Sequence, residues 1–279
     1  MAMKLTQLPA GESVPILGQG TWQLGENPRK KQAEIAALRL GLDLGMTLMD
    51  TAEMYGDGAT EKLVAEAIAG RRDEVFLVSK VLPHHATVRG TIAACEASLR
   101  RLNTDVIDLY LLHWRGSVAL SETLEAFTAL VKAGKIRYWG VSNFDDADME
   151  ELFALNGGEE VATNQVLYNL TRRGIERDLL PLCRTHRIPI MAYSPIEQGR
   201  VLGRAELRRI ADRHGVTPVQ VALAWVLRAE NIIAIPRSGN PDHVRENRAA
   251  LDIQLTSADI GELDLAFAAP TGKRPLEMI

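Results

Sequence analysis

Four residues at three separate places in the chain have side chains that could carry out one piece of chemistry together. Asp50 ends the apolar run inside MTLMDTAEMYGDGATE (46–61), and Tyr55 follows five residues later in a glycine-rich segment. Lys80 ends FLVSK and His113 ends YLLH. A free phenol has a pKa of about 10 and is a poor acid at neutral pH. A neighbouring ammonium stabilises the phenolate and lowers that value. Asp50 beside Lys80 would keep the lysine charged and placed, and His113 could hydrogen-bond a substrate oxygen. Together they predict a proton donor tuned toward working pH, beside a pocket that stabilises a developing alkoxide. Reduction of a carbonyl needs this, because electrons arrive at carbon while oxygen must be protonated. Each residue also has a plainer reading: helix N-cap, loop aromatic, lysine leaving the core, satisfied core histidine. The weight rests on all four standing after apolar runs that read as strands or strand ends.

Those runs recur along the chain. Strands are expected at 18–22 (GQGTW), 48–50, 76–80, 110–113, 139–143 (WGVSN), 162–166 (ATNQV), 190–194 (IMAYS) and 233–238 (IAIPRS). Helical patterns lie between them. Ile35, Leu38 and Leu42 form one stripe with Gly45 as its C-cap, and Ile92, Cys95, Leu99 and Leu102 form another. Leu124, Phe127 and Val131 make a third, closed by Gly134, while Thr217 and Pro218 open a fourth as N-cap and first helical residue. The polar strand ends recur about every thirty residues, the length of a βα unit. Continuous apolar strands suit a parallel sheet covered on both faces. Eight units predict an α/β fold, a (β/α)8 TIM barrel forming a single domain over 1–279. The segment KLTQLPAGESVPILG reads as an N-terminal β-hairpin closing the barrel bottom. Active sites of such barrels sit where the strands end, so the four residues would converge at one mouth.

Composition narrows the function classes. The chain has 279 residues, 46% of them hydrophobic, and a net charge of −4. That balance argues against nucleic acid or an anionic membrane as the main partner. Arg200, Arg204, Arg208, Arg209 and Arg213 read as a solvated helix face. Cys95 and Cys183 read as reduced core thiols, and no metal-ligand spacing is visible. His84 and His85 read as an exposed loop. MAMKLTQLPAGE has no apolar core of a signal peptide and no run is long enough to span a membrane, so a cytoplasmic location is expected.

The pieces GQGTW, DTAEMYG, VSK, LLH-W, GVSNF, NQV-Y, AYSP and IPRS followed by EN, spread over 18–247, resemble the aldo-keto reductase family. Bacterial members thought to reduce methylglyoxal-like compounds are the most similar. The resemblance implies a catalytic tetrad at Asp50, Tyr55, Lys80 and His113, with Tyr55 as proton donor. It also implies NADPH bound across the barrel mouth, which accounts for the missing Rossmann fingerprint: Gly18-Gln19-Gly20 lacks the third glycine and opens no helix. Ser142, Asn143 and Gln165 would hydrogen-bond the carboxamide, and Tyr193 would stack on the nicotinamide ring. Contacts are also implied at Gly20, Thr21 and Trp22, at Ser194, Pro195, Ile196 and Gln198, and at Ile235 and Pro236. Arg237 and Ser238 would take the 2′-phosphate, and His243, Glu246 and Asn247 the adenosine end. Trp22, Met54 and Trp114 would line the substrate pocket with Tyr55 and His113.

Three features set this chain apart within the resemblance. His243 stands where the family often has Arg, and a mostly neutral imidazole offers less to a phosphate, so NADPH is expected with NADH not excluded. Arg245 would point elsewhere. Arg115 follows Trp114 where many members have Pro, and a solvent-facing arginine is expected. About ten residues follow the last helical pattern, TSADIGELDLAFA, too few for a long lid. An open pocket for small aldehydes, 2-oxoaldehydes or sugar-derived carbonyls is expected, in a monomer. Two rival readings remain: a nicotinamide-binding redox-sensing module with negligible turnover, and a Schiff-base aldolase using Lys80.

Overall fold

The computed structural model describes residues 3–279; Met1 and Ala2, which open the stretch read for a leader, lie outside the described residues. Strands β1 (Leu5–Gln7) and β2 (Ser13–Pro15) pair antiparallel as the expected hairpin. Eight parallel strands follow: β3 (Gln19–Gly20), β4 (Leu48–Asp50), β5 (Phe76–Val81), β6 (Ile107–Leu112), β7 (Ile136–Ser142), β8 (Asn164–Leu167), β9 (Ile190–Tyr193) and β10 (Ile232–Ala234). They run in chain order across the sheet. Parallel bridges Leu17 to Ala234 and Gly20 to Arg237 bring its first and last strands together, so the sheet closes on itself. At this seam the backbones approach closely: a methyl group on Gly20 would come within 2.7 Å of the Ile235 carbonyl oxygen.

Helices pack outside: α1 (Lys31–Asp43), α2 (Ala59–Ile68), α3 (Val88–Leu102), α4 (Leu120–Lys132), α5 (Asp146–Phe153), α6 (Leu179–Thr185), α7 (Ala205–His214), α8 (Pro218–Leu227), α9 (Pro241–Ala249) and α10 (Ser257–Ala266). Local signals explain their ends. Thr217 caps α8, its side chain bonding the Gln220 amide while Gln220 bonds back. Gly45 leaves α1 at φ 84° and Gly134 leaves α4 at φ 68°. One stripe differs from expectation. On α4 the inward residues are Leu120, Leu124, Phe127 and Leu130, while Val131 is exposed. After Phe127 the helical period admits a step of three or four, and the larger leucine takes the inward position.

The barrel interior is a separate apolar cluster. Leu48, Phe76, Val78, Leu109, Leu111, Met191 and Ile233 fill it, and Leu8 and Val14 of the hairpin pack in from below. Each of those two side chains contributes about 1.5–3 kcal/mol by burial and plugs the bottom. The thiols are free and buried, and burial pushes Cys95 and Cys183 up to about 12. The arginine face of α7 is solvated and ion-paired, with Arg209 and Arg213 meeting Glu262 on α10. No helix of the described residues is long and apolar enough to cross a membrane.

Candidate active site

The four chemistry-bearing residues come together at the carboxyl ends of the strands. Asp50 is the last residue of β4, and Lys80 sits one residue from the end of β5. His113 follows β6 directly, held by its amide on the Val81 carbonyl. Tyr55 begins a single 3-10 turn, Tyr55–Gly58, in which Gly56 and Asp57 adopt φ 54° and 50°. This tight turn brings the phenol back over the strand ends.

Lys80 is fully buried and its ammonium is satisfied three ways: Asp50 Oδ2 at 2.8 Å, the Thr51 carbonyl at 2.8 Å and the Tyr55 hydroxyl at 3.2 Å. The second oxygen of Asp50 accepts from Gln165 Nε2 at 2.8 Å. Burial alone would depress Lys80, but Asp50 and Tyr55 outweigh it and raise its pKa, so it stays charged. The expected lowering of Tyr55 is not found. Burial raises its pKa more than Lys80 lowers it, and Asp50 adds to the rise. The phenol therefore keeps its proton at neutral pH, beside an ammonium placed where it could stabilise a phenolate.

His113 is buried and near the Lys80 charge, and together these pull its pKa down to about 2. Its ring is neutral. Nδ1 is buried without a partner, which favours the tautomer with the proton on Nε2, a donor for the cavity. Its ring stands edge-on to Tyr55, centroids 5.9 Å apart.

A further set of residues that sequence reading missed fixes this arrangement from behind. Ser79 Oγ donates to Glu61 on α2 at 2.7 Å, and Arg101 on α3 pairs with the same carboxylate. The Glu61 carboxylate is fully buried, so the pair ties two helices to β5 next to Lys80. Nothing in the local spacing announces it, because its members come from three elements.

A cleft of about 1010 Å³ opens above the four residues. Trp22, Met54 and Trp114 line its side over Tyr55 and His113. Arg115 takes no part and is not loose in solvent either: it bonds the Gly116 and Val118 carbonyls and pairs with Glu151. Gly20 and Thr21 line the cleft at the barrel seam, and Thr21 Oγ1 donates to the Asp50 carbonyl. On the opposite wall, Tyr193 is half-buried and donates to Asn143 Oδ1 at 3.0 Å. Asn143 Nδ2 donates to the His113 carbonyl and to Ser142, whose own hydroxyl bonds the Gln165 carbonyl. With its nitrogen held by Asp50, Gln165 has its side-chain oxygen left for a ligand. Burial pushes Tyr193 up to about 12, with the Ile279 backbone pulling the other way.

Beyond Tyr193 the wall is the loop Ser194, Pro195, Ile196, Gln198 and Gly199. Ser194, Glu197 and Gln198 hold φ of 46°, 51° and 54°, a left-handed conformation that costs about 1–3 kcal/mol at a non-glycine residue. Asn169 braces it through the Ser194 carbonyl and Glu197. The far end is formed by Ile235, Pro236, Arg237, His243, Glu246 and buried Asn247. Arg237 Nε donates to the Trp22 carbonyl at 3.0 Å, and its guanidinium has no carboxylate partner among the described residues. Arg245 instead pairs with Asp242, away from the cleft. Ser238 follows Arg237, and its hydroxyl is engaged with the backbone of Asn240, the cap of α9.

The tail differs from expectation. It is short, yet Met278 and Ile279 line the cleft beside Leu202 and Val219, so the pocket is not simply open. Lys273 bonds Asp146 and Glu277 bonds Arg172, and these anchors bring a short segment to the mouth. His85 is likewise held, on Glu53 at 3.0 Å.

A family model described as aldo/keto reductase family matches residues 16–267. The chain is 52% identical to methylglyoxal reductase YeaE of Escherichia coli K12, with all of each chain covered. It is 33% identical to a glyoxal reductase of Bacillus subtilis strain 168, covering 92% of this chain and 91% of that one. Among solved structures, an aldo/keto reductase from Klebsiella pneumoniae in complex with NADP and acetate superposes with a TM-score of 0.97, at 48% identity and full coverage of both.

Proposed function

The chain belongs to the aldo/keto reductase family, and from that premise we propose that it reduces small 2-oxoaldehydes such as methylglyoxal, with Tyr55 as the proton donor. It is an NADPH-dependent carbonyl reductase; the substrate and the residue roles are the proposal. The observation that carries the roles is the Lys80 ammonium, hydrogen-bonded at once to the Tyr55 hydroxyl and to Asp50 at the floor of the cleft.

The residues present fit a dinucleotide. The cleft runs from Tyr55 to the Arg237 guanidinium, which has no carboxylate partner among the described residues, and a planar fork suits a phosphate. Ser142, Asn143, Gln165 and Tyr193 would hold the nicotinamide end, and the loop from Ser194 to Gln198 the middle. When bound, NADPH supplies a hydride to the carbonyl carbon. The protein supplies the rest. His113 Nε2–H orients the carbonyl oxygen, Tyr55 gives that oxygen its proton, and Lys80 stabilises the phenolate left behind. Asp50 keeps Lys80 charged and in place. The same reading takes the chain as one domain, acting as a cytoplasmic monomer on a small carbonyl compound.

The first test is NADPH oxidation by the purified protein on a panel of small carbonyls including methylglyoxal, with NADH in parallel. NADPH should be consumed fastest with 2-oxoaldehydes. Arg237→Ala should raise the KM for NADPH about tenfold, in keeping with a charge-assisted phosphate contact, and leave NADH use nearly unchanged. Tight NADPH binding without turnover on any carbonyl would sink the reductase reading and favour the redox-sensing module. The aldolase reading has little support, because a fully buried, triply bonded ammonium cannot attack a carbonyl.

The neutral state of His113 predicts a pH profile. Its pKa lies near 2, so the ring carries no charge across the neutral range. The reduction rate should show no acidic limb near the ordinary imidazole value of about 6.5. A limb there that disappears in His113→Gln would show that the ring titrates and overturn this assignment.

A further inference from the structure

We propose that Arg172 is a positioning residue that ties the C-terminal tail at the cleft, taken here as a wall for the substrate, to the loop on the cofactor side, so that the two are set together. The inference rests on the reading of Ser194–Gln198 as the loop that holds the cofactor. Arg172 stands just after β8, outside the cleft, in a turn in which it and Asn169 exchange backbone hydrogen bonds. Its guanidinium reaches in two directions. Nε and Nη2 meet Glu197 Oε1 at 3.3 and 3.1 Å, and Nη1 bonds Glu277.

Each carboxylate controls a different wall. Glu197 lies within the left-handed loop and has a nearly buried side chain. Asn169 and Arg200 also hold it, at 2.8 and 2.7 Å. Burial works against its charge, but these partners outweigh it and keep its pKa low. Glu277 precedes Met278 and Ile279, the two tail residues in the cleft lining. One planar fork therefore sets a strained backbone on one side and an apolar wall on the other. A lysine, with a single point charge, cannot serve both. Arg172 touches neither substrate nor cofactor, so its effect must pass through Glu197 and Glu277.

The test measures NADPH affinity by fluorescence titration, and KM and kcat for methylglyoxal, in wild type, Arg172→Met, Arg172→Lys and Glu277→Gln. Arg172→Met should weaken NADPH binding and raise the methylglyoxal KM, each about tenfold, within the usual range for coupled sites. Its kcat should stay within about threefold of wild type, because Tyr55 and Lys80 are untouched. Glu277→Gln should raise the methylglyoxal KM and leave NADPH affinity alone. Arg172→Lys should recover NADPH affinity through Glu197 without recovering KM. If Arg172→Met lowers only the melting temperature, with both constants unchanged, the residue is merely structural and the proposal fails. If wild type itself binds no NADPH, the cofactor reading fails and takes this one with it. Unchanged binding in Arg172→Met beside normal wild-type binding overturns the coupling alone.

Discussion

Tyr55→Phe is expected to lower carbonyl-dependent NADPH oxidation by about a hundredfold or more, the usual loss when a general acid is removed, with NADPH affinity changed less than about twofold. The substitution deletes one oxygen. The phenyl ring can keep its place against His113, and the cofactor side of the cleft does not use the hydroxyl. What goes is the proposed proton source and the acceptor 3.2 Å from Lys80. Lys80 keeps Asp50 and the Thr51 carbonyl, so little stability should be lost. Steady-state turnover and a nucleotide titration on the same preparation separate the two effects. Wild-type turnover in the variant would remove Tyr55 from the mechanism. The pKa of Tyr55 is raised, so the proton-loaded form persists through neutral pH. The reduction rate should therefore fall only above the ordinary phenol range.

Lys80→Met should act on both catalysis and stability. Turnover should fall by about 10²–10³, as expected when a preorganised charge facing the developing anion is lost. Unlike the tyrosine variant, this one should also unfold more easily. Asp50 is 2% exposed, and without the ammonium its carboxylate keeps only the Gln165 side-chain bond, 2.8 Å. Removing one partner of a buried pair costs about 3–5 kcal/mol, which lowers the melting temperature by roughly 10 °C in a chain of this size. The sign can be checked with pH. The raised pKa of Lys80 means that the pair's contribution is fully present below the unfolded lysine value and is lost only as pH rises through the higher folded one. Combining Lys80→Met with Asp50→Asn removes both charges and should recover at least half of the lost stability, though not the activity. A single variant as stable as wild type would show that the buried carboxylate is not held by Lys80.

The eight strands and the convergence of Asp50, Tyr55, Lys80 and His113 could be read from the chain, because a parallel barrel strand is apolar throughout and stops at a polar residue on the mouth. The caps of α8 and α1 were equally legible, since Thr-Pro and Gly act locally. What could not be read depends on distant partners. The tail reaches the cleft because Arg172, a hundred residues earlier, holds Glu277. Glu61, Ser79 and Arg101 meet only once three elements are packed. The direction of the Tyr55 shift is a balance of burial and Asp50 against Lys80, and spacing along a chain carries no measure of burial. Val131 lost its inward place to Leu130 because period alone does not choose between adjacent apolar residues.

The hairpin plug bears on how the enzyme recharges. Leu8 and Val14 close the bottom, and above them the interior is apolar side chains up to the level of Lys80. Among the described residues this column is built of apolar side chains, which pass no proton. With Tyr55 as the proposed donor, the proton given up in each cycle would return through the same mouth that admits substrate and releases alcohol. The barrel is a one-door vessel, in which resetting the acid waits until the product has cleared the doorway.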